Sequence, residues 1–246
     1  MQLRQFAVLT ILVLPLFASP AVLAANVSNG RNITFADSRS LNWAGYGIGA
    51  SSGTVTAVNG AWVQPAVSCA KGSTYSSFWV GIDGFNSGTV EQTGTLAYCS
   101  SGVAHYSAWY EAYPAASVTI SSITVHAGDH FTASVTYSGG QFTTTINDVT
   151  TSQSFSISFT VASAVRSSAE CIAERPSIGG SITKLANFGT VNFTGCTATI
   201  NGVTGNFGSF AGLQSIDMVG RSGKVIAQTS ALSGGTSFSV TWKGTN

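Results

Sequence analysis

Charge is what this sequence has least of: its 246 residues include ten Lys or Arg, nine Asp or Glu, and three His. So sparse and balanced a set offers no basic stripe for nucleic acid and no cationic face for an anionic membrane. It also leaves few paired carboxylates whose protonation would unfold the chain, so tolerance of acid is expected. The four cysteines, Cys69, Cys99, Cys171 and Cys196, form no Cys-x-x-Cys pair, and the histidines show no paired spacing. Neither zinc nor another metal or cofactor is therefore expected, and His105, His126 and His130 read as ordinary strand and turn residues. There is no sequence repeat, no helix of convincing length, and no bilayer-spanning apolar run after the N-terminal region. What is abundant is Gly, Ser, Thr and Val, the mixture of short pleated strands joined by tight turns.

The chain begins MQLRQ, with Arg4 as its one early cation, runs apolar through FAVLTILVLPLF, and reaches small residues at AVLAAN. That is the pattern of a secretory signal peptide over residues 1–24, cut after Ala24. Residues 25–41 read as a polar leader or short pro-segment, and residues 42–246 as one domain. Removal of Arg4 leaves nine cations against nine carboxylates. The expected product is secreted, monomeric and free of the membrane. In an oxidising compartment an even cysteine count favours disulfides; of the three connectivities, Cys69 with Cys99 and Cys171 with Cys196 are preferred because each pair brackets neighbouring strand regions. Glycosylation sequons stand at Asn26, Asn32 and Asn192.

Turn signals recur at Asn59-Gly60, Asp83-Gly84, Ser101-Gly102, Ser138-Gly139-Gly140, Gly179-Gly180, Asn201-Gly202, Ser222-Gly223 and Gly234-Gly235. Alternating runs such as HFTASVTY, FSISFTV and SFSVTW lie between them, which predicts an all-β antiparallel sandwich of jelly-roll type. Strand parity then sorts the side chains. Phe78, Val80 and Ile82 share a core face opposite Trp79, Gly81 and Asp83. Trp109, Glu111 and Tyr113 fall together, as do Glu170, Ile172 and Glu174. Aromatics interleaved with carboxylates on one face suit a substrate groove.

The ordered runs NWAGYGIG (42–49), FWVGIDG (78–84), VEQTG (90–94), AWYEAYP (108–114), AECIAE (169–174), ANFGTVNFTG (186–195) and SIDMVGRSGKVIAQTS (215–230) resemble the glutamic peptidases, or eqolisins. The resemblance covers nearly all of the chain after the leader. It implies a β-sandwich related to the concanavalin A-like lectin and glucanase jelly rolls, and cleavage of protein or peptide substrates in acid. By motif, Gln92 and Glu170 match the catalytic pair, and Trp79, Asp83, Trp109, Glu111 and Tyr113 would line or support the cleft. Chemically, a Glu170 titrating near the ordinary ~4.3 could take a proton from water and return it to the leaving amine. The Gln92 amide could stabilise an oxyanion without itself titrating. Asp83 could equally serve the Asp83-Gly84 turn, and Glu174, about 13 Å along the strand from Glu170, could only support. Cys171 stands where the family commonly has tryptophan, Leu96 where an aspartate often follows QTG, and the leader is short beside the acidic pro-segment typical of fungal members.

Two other readings fit the same architecture. A glycosidase would set Glu111 and Glu170 across a scissile bond, at about 5 to 9.5 Å. A lectin-like binding module would need no catalytic pair. The string Gly49-Ala50-Ser51-Ser52-Gly53 matches G-x-S-x-G by letter but lacks the strand-to-helix setting of a serine hydrolase.

Overall fold

Short β-branched runs broken by glycine turns give short strands, and a computed structural model, which describes residues 38–85 and 87–246, contains eighteen of them. The expected signal peptide and residues 25–37 of the leader lie outside the described residues. In chain order the strands are β1 (Ser38–Ser40), β2 (Trp43–Gly49), β3 (Val55–Val63), β4 (Thr74–Ile82), β5 (Val90–Ser100), β6 (Val103–Tyr113), β7 (Val118–Ile120), β8 (His130–Ser138) and β9 (Gln141–Asp148). They continue with β10 (Gln153–Phe159), β11 (Ser168–Glu174), β12 (Ser177–Ile178), β13 (Ser181–Ile182), β14 (Thr190–Ile200), β15 (Val203–Asn206), β16 (Leu213–Val219), β17 (Val225–Thr229) and β18 (Phe238–Trp242). One 3-10 turn, Phe207–Ser209, is the only helical element among the described residues, and none of their helices is long and apolar enough to cross a membrane.

One hydrogen-bonded path, β10-β9-β8-β3-β14-β18-β17-β16-β2-β11-β4-β5-β6-β7, carries almost the whole chain, and nearly every pairing in it is antiparallel. The path folds back on itself, so that β3 and β8 pack over β11, β4 and β5 as a sandwich. Its main core takes Phe78, Val80 and Ile82, as parity predicts, together with Trp62, Phe131 and Phe193 from the facing layer. The Trp62 ring lies 6.0 Å from each of Phe131 and Phe193, and its Nε1–H donates to Thr95 Oγ1 at 3.0 Å. Each such fully buried apolar side chain contributes roughly 1.5–3 kcal/mol.

Two expectations change. Asn59-Gly60 is not a turn: both residues lie within β3, where a Cβ on Gly60 would meet Val80 Cγ1 at 2.8 Å and Cys171 Sγ at 3.0 Å. Glycine is used there to let the two layers approach, not to reverse the chain. Cys69 and Cys99 are bonded as expected, but Cys171 and Cys196 are free, buried thiols. Cys171 on β11 and Cys196 on β14 face each other across the layers and pack as small apolar side chains, and Cys171 Sγ donates to the Asn59 carbonyl at 3.8 Å. Just before the expected domain start at Asn42, β1 pairs in parallel with β16 through Ser38, Arg39 and Ser40.

Candidate active site

Strand alternation gives the β16-β2-β11-β4-β5-β6 layer a second face, turned away from the main core. A separate apolar cluster forms there from Trp43, Trp79, Phe85, Leu96, Trp109 and Ile172, among others. Register decides which polar side chains this face brings together. Glu111 on β6 pairs with Gln92 on β5, Gln92 with Gly81 on β4, Gly81 with Glu170 on β11, Glu170 with Gly47 on β2, and Gly47 with Gln214 on β16. Gln92 and Glu170 therefore share one cross-strand row, two strand spacings or about 9.5 Å apart at the backbone. The intervening position has no side chain. A Cβ on Gly81 would come within 2.8 Å of the Trp79 ring and 3.2 Å of Gln92 Cβ, so this gap cannot be filled without displacement.

Gln92 and Glu111 are both buried, and Gln92 Nε2–H donates to Glu111 Oε2 at 2.6 Å. A primary amide carries two such donors, so Glu111 fixes the nitrogen end of Gln92 and leaves its second N–H to act. Gln92 Oε1, both oxygens of Glu170, Gln214 Oε1 and Trp109 Nε1 are buried without a hydrogen-bond partner among the described residues. Buried polar atoms are seldom left so in folded proteins. Five of them on one face mark a place for water and a polar ligand. Burial pushes the Glu170 carboxyl well above its ordinary value; Asp83 and Glu91 add repulsion, and the Ser168 hydroxyl offsets only part of it. The direction is opposite to what a titration near the ordinary ~4.3 would need: burial disfavours the ionised form of Glu170.

The next rows build the walls. Ile216, Gly45, Ile172, Trp79, Gly94 and Trp109 stand in register beside the polar row. Trp43 packs edge-on to Trp79 with ring centroids 5.0 Å apart. Glu174, fully buried, accepts Trp79 Nε1–H at 2.8 Å and Asn42 Nδ2–H at 3.0 Å. Its carboxyl too is raised by burial, with Glu111 adding to the shift. Two rows further along, Tyr75, Tyr98 and His105 stack in one pile, with centroids 5.5 and 4.7 Å apart and planes within 13° and 16°. Tyr113 lies partly buried at the other end of the face.

Asp83 is buried and its carboxyl group is taken up by a neighbouring loop. Its Oδ2 accepts the N–H groups of Val165 (2.8 Å) and Arg166 (2.6 Å), and its Oδ1 accepts those of Ser167 (2.8 Å backbone, 3.2 Å hydroxyl). Of the two roles weighed for it, the structural one is what the geometry shows, although the chain it holds is residues 165–167 rather than its own turn. Sequence reading missed Gln214, Phe85 and Asn42. Gln214 was legible in principle, since LQSIDMV alternates and puts it in phase with Ile216. Phe85 reaches the site from a loop, its ring 3.4 Å from where a Cβ of Gly47 would stand, and no periodicity announces that. Among the described residues no group of three His, Cys, Asp or Glu is placed to hold a metal ion.

The chain is similar to known peptidases. Residues 41–242 match the Peptidase A4 family. Aspergillopepsin-2 of Aspergillus niger is 36% identical over 134 residues, which are 52% of this chain and 48% of that protein. Scytalidopepsin B of Scytalidium lignicola is 36% identical over 174 residues, covering 65% of this chain and 64% of the relative. The chain thus spans about half to two thirds of the length of these relatives. Among solved structures, scytalido-glutamic peptidase with a transition state analog inhibitor superposes with a TM-score of 0.73 at 27% identity, covering 83% of this chain and 99% of that one.

Proposed function

Because the chain belongs to the Peptidase A4 family, we propose that it is an exported endopeptidase that hydrolyses peptide bonds in acid with Glu170 and Gln92. The observation that carries this reading is the polar row, in which a buried acid and a buried amide flank a glycine on one face of the sheet. A scissile carbonyl held between the two side chains would meet both groups. Glu170 enters neutral: its carbonyl oxygen takes a proton from the attacking water while its own O–H proton passes to the substrate oxygen. The free N–H of Gln92 stabilises charge developing on that oxygen. In the second half, Glu170 donates to the departing nitrogen and recovers a proton from the tetrahedral diol, so the carboxyl ends as it began. The Tyr75-Tyr98-His105 pile, only partly buried, offers flat surface along an extended peptide, with Trp79 and Trp109 buried beneath the site.

Two carboxylates acting on a glycosidic bond fit less well. Glu111 and Glu170 are three strand spacings apart, about 14 Å at the backbone, and Glu111 is bonded to Gln92. A binding module has no use for an acid held neutral beside an oriented amide.

The deciding experiment assays the purified protein on a denatured protein and on a β-glucan from about pH 2 to 7, beside Glu170→Gln and Gln92→Ala. Turnover of the protein substrate should fall as pH rises through the elevated Glu170 value, and each variant should lose at least about a hundredfold in kcat. Cleavage by a folded Glu170→Gln variant at the native rate would refute the reading.

A further inference from the structure

The residue after Glu174 leaves the cleft. Arg175 is only 4% exposed, yet its bonds run to neutral oxygens: Nε to the Leu41 carbonyl (2.6 Å), Nη1 to Asn246 Oδ1 (3.3 Å) and Nη2 to the Val219 carbonyl (3.4 Å). Three of the five guanidinium N–H groups are occupied in this way, and no carboxylate among the described residues pairs with them. Arg175 borders a cavity of about 400 Å³ that Lys184, Arg221, Ser222 and Asn246 also line; none of these side chains is acidic, so even with the main-chain carboxyl of Asn246 counted the three cations face at most one anion. Burial and the nearby Arg221 both press against the Arg175 charge. A desolvated cation beside two more cations costs free energy that a countercharge would offset.

We propose that this cavity binds a small oxyanion, a sulfate, phosphate or carboxylate group, received by the remaining N–H groups of Arg175 and by Arg221 and Lys184. The guanidinium fork suits oxygen pairs in such groups, and it keeps its charge in acid, where the chain's own carboxylates lose theirs. The volume exceeds that of a bare ion with a few waters, at about 30 Å³ per water, so the oxyanion can bring an attached organic group. The site is separate from the cleft, because successive residues of an extended chain point to opposite sides.

The test is thermal unfolding of the whole protein with sulfate or succinate titrated at ionic strength held constant by chloride. Sulfate and succinate distinguish an inorganic occupant from a carboxylate one. Arg221→Ala with Lys184→Ala alters exposed side chains and leaves the buried guanidinium and the fold in place. A saturable rise in Tm with either anion, needing at least tenfold more anion in the double variant, is the expected result. Sulfate also stabilises proteins generally by exclusion from their surfaces. A rise that never saturates, or that is the same in the double variant, would overturn the proposal, as would no rise at all.

Discussion

Glu91 makes the most exacting prediction. It neighbours Gln92 on β5 but takes the opposite face, in register with Ile82 of the main core, and is fully buried with neither oxygen hydrogen-bonded among the described residues. Burial first, then repulsion from Asp83, pushes its carboxyl up from 4.5 to about 8. The folded chain therefore holds this proton more tightly than the unfolded chain. The stability Glu91 contributes is complete below about pH 4.5 and drains away as pH rises towards 8. At roughly 1.36 kcal/mol per pH unit that amounts to about 5 kcal/mol over the whole window, and about 3 kcal/mol by pH 7. Against a total of about 5–15 kcal/mol for an ordinary domain, this one proton decides much of the difference between acid and neutral conditions. Glu170 and Glu174, both raised, act in the same direction. Glu91→Gln keeps the shape of the neutral side chain and cannot ionise. Urea unfolding of both proteins from about pH 4 to 8 should show the native chain losing stability steeply while the variant loses about 3 kcal/mol less by pH 7. Equal slopes in the two proteins, or a native chain as stable at neutral pH as in acid, would refute the reasoning.

Three further changes test the site and its frame. Glu111→Gln replaces the carboxyl oxygen that accepts from Gln92 by an amide that can present either end, and should lower kcat about tenfold with KM little changed, as steady-state kinetics would show. Gly81→Ala drives a methyl to 2.8 Å from the Trp79 ring and 3.2 Å from Gln92 Cβ. It should depress activity far more than Tm, and a fully active variant would mean that the placing of the Trp79 ring and Gln92 over Gly81 does not matter to the reaction. Replacing Cys69 and Cys99 together by alanine opens a link with a sequence separation of 30, and on loop-closure entropy should cost roughly 3–4 kcal/mol in denaturant unfolding.

Much of this arrangement was legible before any coordinates. Strand parity put Phe78, Val80 and Ile82 in the core and set Trp109 with Glu111, and Glu170 with Glu174, because a period of two survives whatever the strands pair with. Family likeness supplied Gln92 and Glu170 as a pair. What neither supplied was register: that Gly81 lies between them, and that Gln214 closes the row, depends on pairings between strands far apart in the chain. Asn59-Gly60 misled because its local letters signal a turn, whereas the tight packing of Val80 and Cys171 against Gly60 is a tertiary demand. The free Cys171 and Cys196 show the same limit from the other side, since spacing along a chain does not say which sulfurs will bond. The raised value of Glu170 depends on burial, which a single strand does not reveal.

The three residues of β1 reach further than their number suggests. Ser40 Oγ accepts the backbone N–H groups of Asn42 and Trp43 and donates to Asn42 Oδ1. Asn42 in turn holds Glu174, which holds the Trp79 indole. A processing enzyme that clipped the chain at Asn42 would thus slacken a tether running from the N-terminal edge to the wall of the cleft, so a trimmed form beginning at Ser38 should outperform one beginning at Asn42.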